Sequence, residues 1–115
     1  MGLDQYAHTK AKGKSKSIEI CYWRKHANLN EYMTQLAVAK LVVDSASKFN
    51  CVALELTLND ILKLEERIKN DDLPHGEGFF WGQSSPEDKK TDLEFIAKAK
   101  EAFAKGEQVF YSCWL

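Results

Sequence analysis

A glycine-centred run of lysines stands between two strand-like segments, and that order commits the start of the chain to an antiparallel hairpin. Residues 3–8, LDQYAH, alternate well enough for a strand. Residues 17–25, SIEICYWRK, are rich in strand formers. Between them lies KAKGKSKS, with Lys10, Lys12, Lys14 and Lys16 around Gly13, which reads as a solvated turn. Strict alternation on the second strand puts Ile18, Ile20, Tyr22 and Arg24 on one face and Glu19, Cys21, Trp23 and Lys25 on the other.

The next signals are helical. Asn28 followed by Glu31 has the form of a capping box. Leu29, Met33, Leu36, Ala37 and Val43 then make an apolar stripe that fades around residues 44–47. NCVALEL, residues 50–56, is a strand with Val52, Leu54 and Leu56 inward. Thr57 caps a second helix with Asp60 three residues on, and Leu58, Ile61, Leu62, Glu65 and Ile68 run along one side of it. Ser85, Pro86 and Asp88 start a third helix, whose stripe is Phe95, Ile96, Ala99, Ala102 and Phe103 and whose stop is Gly106. QVFYSCWL closes as an aromatic strand. Strands and helices do not alternate strictly. The expectation is an α+β fold, a small, mostly antiparallel sheet with about three helices packed on it.

At 115 residues this is one domain, 1–115. A net charge of −1 supplies no global field toward nucleic acid or an anionic membrane. No run reaches the length of a membrane span, and MGLDQYAHTK has no apolar leader. The three cysteines are widely spaced without a CxxC, which fits a reducing compartment. The expected location is therefore cytoplasmic.

GEGFFWGQSSP, residues 76–86, holds three large aromatics between glycines. It reads as a short strand pairing with the sheet. Phe79 and Trp81 share one face, assigned to the core, and Phe80 takes the other. Phe80 is the candidate anchor for a partner protein, with Tyr22 and Arg24 as a rim.

The segments MGLD with Tyr6, YWRK at 22–25, GFFWG at 78–82 and YSCW at 111–114 together resemble a family of short, uncharacterised phage-encoded proteins. The resemblance spans most of the chain in one order. It departs at Gln5, where an apolar residue is expected. It implies a phage accessory product acting inside a bacterial host, and it carries over no catalytic residue.

Four constellations bear on chemistry. Arg24, Lys25 and His26 precede a helix start and could hold an anion. With Lys10, Lys12, Lys14 and Lys16 they form the alternative, nucleic-acid or nucleotide-binding reading. The lysine turn lacks aromatics or arginine for stacking, so nucleic acid is disfavoured. His8, His26 and His75 show no zinc spacing with the cysteines, so no metal and no cofactor is expected. Asp71, Asp72, His75 and Glu77 match no catalytic signature and read as a surface loop. The function expected is a non-enzymatic module that binds a host or phage protein, or a second copy of itself.

Overall fold

The hairpin is there, and it forms half of a four-stranded sheet. The computed structural model describes residues 2–76 and 82–115. Strands β1 (Asp4–Lys10) and β2 (Ser17–Arg24) are followed by helix α1 (Ala27–Ala39), strand β3 (Leu54–Leu56), helices α2 (Leu58–Lys69) and α3 (Asp88–Ala104), and strand β4 (Gln108–Trp114). The order across the sheet is β2-β1-β4-β3, and every pairing is antiparallel. The architecture is α+β. The strand expected at GFFWG, with Phe79, Phe80 and Trp81, lies outside the described residues.

Alternation sorts the two faces of the sheet. Gln5, Ala7 and Thr9 of β1, Trp23 of β2, Leu54 and Leu56 of β3, and Val109, Tyr111 and Cys113 of β4 are all buried. They meet Leu29, Met33 and Ala37 of α1, Ile61, Leu64 and Ile68 of α2, and Phe95, Ile96 and Ala99 of α3 in one core. Trp23 stands edge-on to Phe95, 5.2 Å between centroids, and Phe49 stacks on Tyr111 at 6.1 Å. All three helices serve this face, and among the described residues no helix covers the other.

The face assignment along β2 needs one correction. Ala7 pairs with Cys21, but His8 pairs with Glu19, so Ile20 is an extra, bulged residue. The bulge shifts the alternation. Ile18 lies opposite Thr9 on the helix side, while Tyr22 and Arg24 lie opposite Tyr6 and Asp4 on the open side. Ile18 therefore does not share a face with Tyr22, although it remains 64% exposed at the end of the sheet. Lys25 is not in the strand at all. It has φ 59°, and its N–H donates to the Leu3 carbonyl, which turns the chain from β2 into α1.

The helix boundaries follow local rules unevenly. Thr57 and Asp60 make the full reciprocal capping box of α2. The buried positions of that helix are Ile61, Leu64 and Ile68, a clean i, i+3, i+7 stripe. Leu58 and Leu62 are each 46% exposed, contrary to the expected stripe. Glu65 ion-pairs with Lys100 of α3 at 2.8 Å. At α3 the Asp88 carboxylate accepts from the Ser85 N–H, 2.8 Å, as a cap three residues apart should, although regular helix begins only at Asp88. β3 is shorter than expected, because Cys51 adopts φ 59° and gives its N–H to the Cys113 carbonyl. Asn28 is not the cap of α1. His26 holds that position, and no side chain of its own caps the helix. Val43 is buried, but it lies beyond the end of α1.

All three helices end alike. In α1 the Leu41 N–H reaches Val38 O and the Val42 N–H reaches Ala37 O. Asp71 and Asp72 repeat the pattern at α2, and Gly106 and Glu107 at α3. This is the Schellman closure, which requires a left-handed residue. Gly106 suits that position, whereas Leu41 occupies it at φ 60° with its side chain 86% exposed. The left-handed conformation costs a branched residue about 1 kcal/mol or more. Leu41→Gly is expected to raise stability by about 1 kcal/mol, read from the urea midpoint at unchanged slope. A lower midpoint would mean that Leu41 makes a contact worth more than its backbone strain.

Candidate functional site

The turn at Lys25 drives His26 into the interior, where it is 3% exposed. Gln5, fully buried on β1, holds its backbone from both sides. The His26 N–H donates to Gln5 Oε1, 2.9 Å, and Gln5 Nε2 donates to the His26 carbonyl, 3.0 Å. Gln5 Nε2 also donates to the Tyr111 hydroxyl, which donates in turn to Asn30 Oδ1. The residue that breaks the apolar pattern of β1 is thus the clamp that locates His26. Burial pushes the Tyr111 hydroxyl well above the ordinary tyrosine range, which keeps it a neutral donor.

The imidazole lies between two side chains far away in sequence. Nδ1 is 2.6 Å from Ser84 Oγ, and Nε2 is 2.9 Å from Asp92 Oδ2. The other oxygen of Asp92 accepts from Trp23 Nε1, 2.9 Å. Asp88, one turn before Asp92 on the same face of α3, comes within 3.6 Å of Nδ1. The backbone N–H of Asn28 donates to Ser84 Oγ, 3.0 Å. Ser84 therefore supplies the cap that α1 lacks locally. Asn28 is free of that duty, and its side-chain oxygen accepts the Gly76 N–H at 2.9 Å.

The partners assign the tautomer of the neutral ring. Asp92 is the acceptor at Nε2, so Nε2 carries the proton. Nδ1 then accepts the Ser84 hydroxyl proton, and Oγ keeps a lone pair for the Asn28 N–H. Ser84, half-buried, faces a cavity of about 390 Å³. Ile68, Leu73 and Pro86 form its apolar wall, and Asp71, Asp88 and Lys89 its charged rim. Lys89 is paired with Asp71 at 3.1 Å.

The anion-binding set read from the sequence is not brought together. Arg24 points to the open face and pairs with Asp4 at 2.7 Å. Hydrogen bonds from Tyr22 and then Arg24 hold the Asp4 carboxyl below its usual range, against the effect of desolvation. Lys25 lies against Gly82, and His26 is inside with carboxylate partners. Lys12, Lys14 and Lys16 are exposed at the hairpin tip, while Lys10 is half-buried at the end of β1. Asp72 pairs with Arg67, His75 is exposed, and Glu77 lies outside the described residues. Among the described residues no cluster of His, Cys, Asp and Glu is arranged to hold a metal ion. Burial raises the Cys113 thiol to about 12 and the Cys21 thiol to about 11, so neither is a ready nucleophile. No helix among the described residues is long and apolar enough to cross a membrane.

Comparison with protein-family models, curated proteins and solved structures yields no match. The site must speak for itself.

Sequence reasoning passed over Ser84 and Asp92. A signal was present for Asp92. It precedes Phe95 by three and Ile96 by four, so it falls on the buried stripe of α3, where a carboxylate needs a partner. Ser84 carried no such signal.

The open face of the sheet is the second feature. Tyr6 and Tyr22 lie across the β1–β2 pairing with centroids 5.3 Å apart, and Tyr6 also neighbours His8 at 6.2 Å. Trp114, 58% exposed, stands beside Asp4, and Phe110 stands beside His8. Tyr6, His8, Glu19, Ser112 and Trp114 line a shallow hollow there. Tyr22 and Arg24, two of the three residues assigned to a partner from sequence, belong to this surface, and Phe80 lies outside the described residues.

Proposed function

We propose that this chain is a protein-binding module whose recognition surface is the open face of its sheet. One observation carries the reading: a sheet covered by helices on one side carries Tyr22 and Trp114, both exposed, and Tyr6, His8 and Phe110, half-buried, on the other. Large rings on an uncovered surface are where interfaces concentrate their energy. On the same face Arg24 neutralises Asp4, and Glu19 and Glu55 stand beside the rings, with Lys10 at the end of the strand. Carboxylates repel a phosphate backbone, so the face favours a polypeptide over nucleic acid. The partner is sought in the bacterial cytoplasm, among host or phage proteins, as the phage resemblance suggests.

The test compares wild type with Tyr22→Ala/Trp114→Ala as bait in bacterial lysate, with and without nuclease, alongside light scattering of the pure protein. Both side chains are substantially exposed, so the melting temperature should hold within a few degrees. Loss of both rings should weaken capture by about 30-fold, the equivalent of about 2 kcal/mol at an interface anchor. Wild-type dimers lost in the variant would assign the face to a second copy. Capture lost to nuclease would assign it to nucleic acid. Capture by the variant at full strength would reject this surface.

A further inference from the structure

We propose that Ser84, His26 and Asp92 form a nucleophilic triad that hydrolyses small carboxylic esters in the cavity beside α1. The roles follow from geometry. A hydroxyl 2.6 Å from one imidazole nitrogen has its base in place, and a carboxylate 2.9 Å from the other nitrogen holds the tautomer that can accept the proton. Asp92 is itself oriented by the Trp23 indole. His26 and Asp92 are buried while Ser84 is half-buried at the cavity. Base and orienter are thus shielded and the nucleophile is reachable. The imidazole is used in reverse of the usual arrangement, with Nδ1 toward serine. That changes the ring's direction and not its chemistry.

The reaction balances with water as the only co-reactant. Ser84 Oγ bonds to the ester carbonyl carbon as its proton passes to His26 Nδ1. The resulting imidazolium keeps Nε2–H on Asp92. The carbon–oxygen bond to the alcohol breaks, and the Nδ1 proton leaves with the alcohol. A water molecule, deprotonated by Nδ1, then attacks the acyl-serine, releasing the acid and restoring Ser84. As Ser84 Oγ bonds to carbon, the negative charge develops on the ester's carbonyl oxygen, and the Asn28 N–H that holds Oγ marks the first turn of α1, whose dipole favours negative charge nearby.

The cavity sets the substrate class. About 390 Å³ with an apolar wall of Ile68, Leu73 and Pro86 suits a short acyl chain. Asp88 stands near the nucleophile, and Lys89 is already paired with Asp71, so neutral or cationic esters are favoured over anionic ones.

The experiment uses the full chain, a neutral fluorophosphonate and p-nitrophenyl acetate. Intact-mass and peptide analysis of wild type should find one adduct, on Ser84, with none on Ser85. The adduct should vanish in denaturant, and ester turnover should fall in step with labelling. Asp92→Asn is the decisive variant. Its carboxamide oxygen can still accept from Trp23, but its NH2 then faces Nε2 and forces the proton onto Nδ1. His26 could no longer take the serine proton. Labelling should slow by about 10²–10⁴ while the near-UV spectrum stays native. An unlabelled Ser84 in wild type, labelling that persists in denaturant, or a folded Asp92→Asn protein that labels at the wild-type rate would each overturn the assignment.

Discussion

Gln5→Leu is expected to destabilise the protein by about 3 kcal/mol, although it places an apolar side chain of similar size at a fully buried strand position. Hydrophobic patterning alone would rate the change neutral or favourable. The structure reverses that sign. Gln5 satisfies the His26 N–H, the His26 carbonyl and the Tyr111 hydroxyl. After substitution the carbonyl keeps the Asn30 N–H, and the Tyr111 hydroxyl keeps its bond to Asn30 Oδ1. The His26 N–H is left with no acceptor inside the protein, and the phenol oxygen loses a donor. A buried orphan costs about 1–3 kcal/mol, and the lost bond about 1 more. Against a total of about 5–15 kcal/mol that is a large fraction. For a chain of this size the melting temperature should fall by about 12 °C. Calorimetry is the measurement, and an unchanged transition would show that the clamp contributes nothing net.

Gly76→Ala is expected to cost at least as much, for a steric reason. A Cβ at this position would sit 2.0 Å from the Ala27 carbonyl oxygen and 2.5 Å from its carbon. These are backbone atoms in the first turn of α1, so no rotamer change relieves the clash. Either the helix start or the 72–76 segment must move by more than an ångström. The movement would strain the Gly76-to-Asn28 bond and the Ser84 cap on Asn28 together. Overpacking usually costs about 1–3 kcal/mol, and loss of a cap adds about 1. The expected drop is thus about 3–4 kcal/mol in chemical denaturation. Amide exchange at residues 27–30 should accelerate more than exchange in β4. Gly106→Ala is the control. Its Cβ meets nothing within 4 Å, and its cost should be confined to the positive φ of 76°.

The two substitutions converge on one place, the start of α1. Four distant segments hold it: β1 through Gln5, the 72–76 segment through Gly76, the 82–87 segment through Ser84, and α3 through Asp92. Such a convergence is costly to maintain, since it buries an imidazole, a carboxylate and a carboxamide in a small domain. The proposed triad gives that polar interior a chemical use beyond fastening a helix.

The sequence alone determined what depends on neighbours a few residues apart. The lysine turn dictated a hairpin, and the hairpin formed with the expected strands. Thr57 and Asp60 lie three residues apart, and their capping box formed as read. Phe95, Ile96, Ala99 and Ala102 recur at helical period and are buried, and Gly106 stops α3 by its own backbone freedom. Each of these rests on geometry that the chain carries locally. Tertiary structure decided the rest. Asn28 looked like a cap and is not one, because a hydroxyl 56 residues away reaches its N–H instead. Gln5 looked misplaced and is the clamp, because its partners come from β4 and from the start of α1. The open face was misread at Ile18 because a bulge shifts the alternation by one residue, and pairing with β1 is what locates the bulge. A polar side chain in a sequence announces only that it needs a partner. Which partner it finds is settled by packing between segments whose separation along the chain carries no period.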